Sequence, residues 1–232
     1  MKLHRFIGDF DLNKKQLEIT NNEIIKQIKL VLRLEIGDIL ILCDGKGQEA
    51  EVKILEMTKS AIVVEILKQS VVTDHTETKK VNLYLAILKK ENFELAVQKA
   101  VECGVNSIIP ILTERTIKTG LNTERLEKII REASEQSGRN ILPTISPILK
   151  FEDAIKNIGQ TCGIIFDLNG EEYKPNQGTK DFSIFIGPEG GFTEKEINQA
   201  REAGILVCLL GTNTLRAETA AIVATYRAVQ GI

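Results

Sequence analysis

Apolar and polar positions alternate, or apolar ones run together, over strand length at 39–43, 50–55 and 61–67. Ahead of these runs, Ile24, Ile25, Ile28, Val31 and Leu32 recur at helical spacing and predict one short helix over 22–34. Gly37-Asp38 then turns the chain back into strand, so the first part reads as a small barrel or sandwich. Residues 69–80 are polar, rich in Thr and charge, and without period. They read as a linker between a domain of residues 1–72 and one of residues 73–232.

Past the linker the pattern changes. Strands are predicted at 81–88, 107–112, 144–149, 162–168, 182–186 and 206–210. Helices alternate with most of them, near 93–103, 123–137, 152–157 and 194–203, with a last one running into Arg227. Such alternation predicts an α/β domain with a parallel sheet covered by helices on both faces. In the second of these helices Leu126, Ile129, Ile130 and Ala133 face a core. Glu132, Glu135, Gln136 and Arg139 form a polar stripe beside them, which reads equally as a solvated face or as a contact surface.

Composition narrows the function classes. The 232 residues are 43% hydrophobic, enough for ordinary cores, yet no apolar run reaches the length of a membrane span, about 20 residues. The opening stretch MKLHRFIGDFDL is charged throughout and lacks the apolar centre of a signal peptide, which points to the cytoplasm and to no membrane partner. Four scattered cysteines read as reduced thiols, and two histidines make a His-built metal site or a Ser-His-Asp triad a poor fit. A net charge of −2 supplies no bulk attraction to nucleic acid, so any RNA contact has to come from local patches.

Two glycine clusters differ in meaning. Gly45-Lys46-Gly47-Gln48-Glu49-Ala50 has dinucleotide-fingerprint spacing but continues into strand, so it reads as a hairpin turn. IGPEGGF, ending at Phe192, follows a predicted strand and enters a helix through a Thr193/Glu196 capping box. Glycines at the carboxyl end of a parallel strand either let backbone groups approach a ligand or make a tight turn without one. A third segment, LLGTNTLRAETAAI from Leu209, again leaves a strand at a glycine. It places Arg216 in the first turn of a helix, against the helix dipole. Arg216 then either serves function or braces the loop through Glu218 or Glu189.

IGPEGGF followed by LGTNTLRAETA resembles the RsmE family, the 16S rRNA uridine-N3 methyltransferases of the SPOUT class. HRF at His4 and LRLEIGD at Leu32 are similar to that family's N-terminal PUA-like domain. QKAVECGV at Gln98, TER at Thr113 and EASEQSGR at Glu132 are similar to its catalytic domain. The resemblance implies a SPOUT-type trefoil-knotted parallel sheet behind a small PUA-like β-barrel that binds RNA. It also implies S-adenosyl-L-methionine as cofactor, 16S rRNA in the small ribosomal subunit as substrate, a homodimer, and no metal.

By position, the resemblance assigns the cofactor pocket to Gly187, Glu189, Gly190 and Gly191 on one side. Leu210, Gly211, Leu215, Arg216 and Thr219 line the other, and Leu168 and Asn169 form a third wall. Arg216, Glu189 and Glu218 are the candidate catalytic residues. Arg5, Arg33, Arg115, Gln136 and Arg139 are the candidate RNA contacts. Asn213 and Thr214 stand where many family members carry a basic and a β-branched apolar residue. The rival readings are a SPOUT methyltransferase for another RNA, such as a tRNA ribose or a different rRNA base, and a cofactor-binding RNA-interaction protein without catalysis.

Overall fold

The structure, a computed structural model, describes residues 3–71, 79–89, 91–174 and 181–232. The chain divides into two compact units, Met1–Thr76 with Ser134–Leu142, and Glu77–Ala133 with Pro143–Ile232.

In the first unit, β1 (Arg5–Ile7), β2 (Gln16–Ile19), β3 (Ile39–Cys43), β4 (Gln48–Met57) and β5 (Ile62–Val71) form one sheet in the order β1-β3-β4-β5-β2. All its pairings are antiparallel except β1 with β3. Alternate residues of β3, β4 and β5, among them Leu40, Leu42, Val52, Ile54, Ile62 and Val64, meet Ile24, Ile25 and Ile28 of the helix in one core. Each such burial contributes roughly 1.5–3 kcal/mol. The GKGQEA segment is the β3–β4 turn: Asp44 Oδ1 accepts from the Lys46 and Gln48 amides at 2.7 and 2.9 Å.

The helix is shorter than its spacing predicts. Asn21 caps α1 (Asn22–Lys26), whose end widens into a π-helical turn over Gln27–Val31. Arg33 then takes a left-handed φ of 54°, ending the helix before Leu34. Ile28, inside that turn, is fully buried, while Leu30 and Val31 are exposed and Leu32 packs against the core again. The expected linker also shrinks. Gln69–Val71 belong to β5 and Lys80 opens β6 (Lys80–Ala86), while residues 72–78 lie outside the described residues.

Ser134–Leu142, which the sequence pattern groups with the second domain, is built onto the first unit by polar contacts. The Ile7 amide donates to Glu135 Oε1 at 2.7 Å, and Leu142 N–H donates to Gly45 O at 3.0 Å. The Arg5 guanidinium donates to Glu49 Oε2 at 2.7 Å, to the Cys43 sulfur at 2.8 Å and to Asn140 Oδ1. Burial pushes the Cys43 thiol up to about 11 against the opposing pull of Arg5. Burial also works to raise the Glu49 carboxyl, but hydrogen bonds from Arg5 and Ser70 and the Arg5 charge outweigh it and hold that group low.

The second unit adds β7 (Ser107–Leu112), β8 (Thr144–Ile145), β9 (Leu149–Lys150), β10 (Cys162–Glu172), β11 (Asp181–Ile186) and β12 (Leu206–Leu209). With β6 they form a wholly parallel sheet in the order β12-β10-β11-β6-β7-β8, β9 also pairing with β7. The helices are α2 (Glu91–Cys103), α3 (Thr123–Ser137), α4 (Phe151–Ala154), α5 (Glu194–Glu202) and α6 (Ala217–Gln230). The expected strand at 144–149 is two short pieces flanking Pro147, which has no N–H to give to a ladder.

β12 lies at the sheet edge, yet α6, which follows it, packs on α2, β6 and β11 at the sheet's middle. β10 makes that path tight. Its body pairs Ile164–Phe166 with Leu206–Cys208, and its tail pairs Glu171 and Glu172 with Cys208 and Leu209. A Cβ on Gly170 would sit 2.7 Å from both the Cα and the N of Cys208. Backbone cannot yield there as a flexible side chain would.

Two predictions follow from this packing. Gly170→Ala should abolish or severely reduce soluble folded protein, whereas Gly120→Ala, in open space, should express and melt as wild type; equal melting of both variants would refute the crossing constraint. Arg5→Ala should cost about 1–3 kcal/mol by denaturant titration. Because the folded Glu49 pKa is depressed, its contribution is present above the unfolded value, about 4.3, and fades as pH falls through the folded one. Arg5→Ala should therefore flatten the acid-side loss of stability.

Candidate active site

β11 ends at Ile186, and the next six residues form a compact loop before α5. Gly191 N–H donates to Pro188 O at 2.8 Å, and Gly191 has φ 68°, a conformation that disfavours a side chain. Phe192 folds back into the core beside Phe151, with ring centroids 5.4 Å apart. A Cβ on Gly187 would come within 3.1 Å of the Phe192 ring, so the glycine makes room for that fold-back. Thr193 then caps α5: its Oγ1 accepts from Glu196 N–H, and Glu196 Oε2 accepts from Thr193 N–H at 2.8 Å. The other Glu196 oxygen accepts from the Glu114 amide at 2.8 Å.

β12 releases a second loop that ends at Arg216, the N-cap of α6. Arg227 of α6 holds it from behind, donating to Leu210 O at 3.2 Å while its guanidinium carbon lies 4.9 Å from the Tyr173 ring centre. Between these loops β10 carries Asp167, Leu168 and Asn169; the Asn169 amide donates to Asp167 Oδ1 at 2.9 Å. The three segments enclose a cleft of about 630 Å³, within the range of cofactor sites.

The cleft gathers most of the positions singled out in the sequence. Leu168, Asn169, Gly187, Glu189, Gly190 and Gly191 line it, and so do Leu210, Gly211, Leu215, Arg216 and Glu218. Thr219 does not: on α6 the lining residues are Ala217, Glu218 and Ala220, and the helical turn of about 100° per residue carries Thr219 to another face. Arg216 is exposed and precedes the first helical turn instead of lying in it. Among the described residues it makes no ion pair with Glu189 or Glu218, so the loop-brace reading has no contact behind it. Glu189 Oε1 instead accepts from the Lys89 amide at 2.9 Å, and Glu218 is 7% exposed in the first turn of α6.

The candidate RNA contacts fall in both units. Arg5, Arg33, Gln136 and Arg139 belong to the first unit. Arg33 and Gln136 are exposed, Arg139 is half-buried, and Arg5 Nη1 is engaged by Glu49, Cys43 and Asn140. Arg115 belongs to the second unit and lines the cleft. Asn92, Asp167, Asn213 and Thr214 also line it, though sequence reading left them off the site. Asn92 lies in the first turn of α2, the helix that follows the central strand β6, and the carboxyl ends of parallel strands are where ligands bind.

Comparison with known proteins agrees with this geometry. A family model described as an RNA methyltransferase domain matches residues 75–229, and one described as an RNA methyltransferase PUA domain matches residues 19–67. Fold and cleft are thus those of an RNA methyltransferase. Ribosomal RNA small subunit methyltransferase E of Rickettsia conorii is 32% identical, covering 97% of this chain and 94% of its own. The protein of that name from Mesomycoplasma hyopneumoniae is 32% identical over 92% and 95% of the two chains. The crystal structure of a ribosomal RNA small subunit methyltransferase E from Neisseria gonorrhoeae, bound to S-adenosyl methionine, matches with a TM-score of 0.87 at 29% identity. It covers 97% of this chain and 95% of that one. The chain belongs to the ribosomal RNA small subunit methyltransferase E family. Its fold is accordingly the SPOUT-type trefoil-knotted parallel sheet with a small PUA-like β-barrel. Among the described residues no helix is long and apolar enough to cross a membrane, and no three His, Cys, Asp or Glu side chains group as metal ligands.

Proposed function

We propose that the cleft binds S-adenosyl-L-methionine and that the protein methylates N3 of a uridine in 16S rRNA, on the small ribosomal subunit in the cytoplasm. The observation that carries this reading is the three-walled cleft at the strand ends of a domain whose relative binds that cofactor. Its residues suit the group. Gly191 and Gly211, where an added Cβ would meet nothing, leave loop backbone open to close approach, and Leu168, Leu210 and Leu215 offer apolar surface to an adenosyl moiety. Bound there, the cofactor supplies an electrophilic methyl group.

The chain's own residues supply positioning and charge. Arg216, at the N-cap of α6, makes no ion pair among the described residues, and its guanidinium donors serve the uracil oxygens as N3 gives up its proton. Glu189 on the glycine loop and Glu218 in the first turn of α6 are the carboxylates assigned to that proton. The target base has to leave its stack to enter such a cleft. Residues 1–72 act as the RNA-gripping PUA-like domain and residues 73–232 as the methyltransferase domain. Arg33, Gln136 and Arg139 of the first unit are the RNA contacts. Leu168, Leu206 and Tyr226, 60%, 56% and 49% exposed, support a homodimer in which a second copy covers the cleft at Leu168.

Calorimetry should detect cofactor binding, and mass mapping of small-subunit RNA after reaction should find 3-methyluridine. Methylated tRNA with unmodified 16S rRNA would overturn the substrate assignment. Arg216→Ala should cut the single-turnover rate by about 10²–10³ while cofactor affinity stays nearly constant; near-normal turnover would remove Arg216 from catalysis. Light scattering should give twice the mass of the 232-residue chain. A fully active monomer would rule out a shared site.

A further inference from the structure

Arg115 sits in the short loop after β7, a segment distant in sequence from either cofactor loop. That loop is closed on itself: Thr113 N–H donates to Thr116 Oγ1 at 3.0 Å, and Thr116 N–H to Thr113 O at 3.1 Å. It is also fastened, at two successive residues, to α5 and to the glycine loop that leads into it. Glu114 gives its amide to Glu196 Oε1 at 2.8 Å. Arg115 Nη1 donates to Gly190 O at 2.6 Å and to Phe192 O at 3.2 Å. The side-chain stem follows the same course, since a Cβ on Gly190 would lie 3.4 Å from Arg115 Cδ. Both accepting carbonyls flank Gly191, the residue whose left-handed φ sets the bend of the loop. A loop this rich in glycine loses much backbone freedom on being held in one shape. A guanidinium locked onto two of its carbonyls contributes that order before any ligand arrives.

We propose that Arg115 is a positioning residue of the cofactor pocket, acting through the Gly190 and Phe192 carbonyls, and not a contact to RNA. This inference rests on the reading of the cleft as the S-adenosyl-L-methionine site. A surface arginine poised for phosphate keeps its fork toward solvent. Here one terminal nitrogen is turned onto the protein's own backbone, and the stem packs over a glycine of the cleft wall. The Glu114–Glu196 bond fixes the neighbouring residue to the cap of α5, so the clamp has an anchored base.

The test uses the full-length protein with Arg115→Met, which keeps a stem of similar length over Gly190 and removes every donor, and Arg115→Lys, which restores a donor nitrogen. In cofactor-free protein, hydrogen exchange of the amides from Gly190 to Thr193 should rise in Arg115→Met, with the rest of the sheet unchanged. By calorimetry Arg115→Met should bind S-adenosyl-L-methionine about ten- to a hundred-fold more weakly, as expected for charge-assisted bonds lost from a preorganised site. Arg115→Lys should stay within about tenfold of wild type, since both native bonds leave a single nitrogen. The KM for cofactor should rise in Arg115→Met, while affinity for small-subunit RNA measured without cofactor, and its salt dependence, should not change. Unchanged loop exchange and cofactor affinity in Arg115→Met would overturn the inference. So would weaker RNA binding with a salt slope reduced by about one unit, the mark of a lost phosphate contact. Wild-type protein that binds no cofactor would overturn both this inference and the reading of the cleft. Wild-type binding with no loss in Arg115→Met would overturn this inference alone.

Discussion

The passage of β10 beside β12 at Gly170 leaves no room for a methyl group. β12 pairs with β10 on both sides of an irregular stretch, so the strand that carries Leu168 and Asn169 runs on along its partner instead of turning away. The loop leaving β12 and the glycine loop leaving β11 consequently emerge on either side of β10, and the cleft forms where the three meet. Placing α6 across the middle of the sheet follows from the same crossing, because the chain has to return past β10 to bury Ala221, Ala224 and Ala228.

Loops at strand ends have unpaired backbone groups, and holding them in shape requires partners from elsewhere. Here the partners are long polar side chains that reach back to backbone. Arg115 and Arg227 donate to carbonyls of one loop each, and Glu196 and Glu189 accept amides from the segments after β7 and β6. Glu196 shows how one residue serves two levels at once. Its capping box is local, spanning the four residues from Thr193 to Glu196, and its second oxygen fastens a segment 82 residues away. Arg216 stands apart from this pattern, since it makes no such bond among the described residues.

The first unit follows a similar rule with a different result. Arg5, a candidate RNA contact by sequence, is 15% exposed at its side chain and engaged with Glu49, Cys43 and Asn140. Asn140 belongs to Ser134–Leu142, so the charge that looked like an RNA contact joins two distant parts of one unit. Arg33 is exposed and itself takes the left-handed φ of 54° that follows the end of the helix.

What the sequence alone determined was whatever depends on short-range periodicity and turn chemistry. The βα alternation of the second half, the Asp44 turn, the Thr193–Glu196 cap and the two glycine segments were legible because each is specified within a few residues. The resemblance carried by IGPEGGF and LRAETA then supplied the family and the knotted fold that periodicity could not. Tertiary structure decided the rest. The strand order, the crossing at Gly170, the partition of Ser134–Leu142 and the employment of Arg5 and Arg115 all depend on groups 38 to 135 residues apart or on which backbone passes beside which. An arginine in a sequence is only a charge on a long stem, and whether its donors meet solvent, phosphate or a buried carbonyl is settled by what the fold brings within about 3 Å of it.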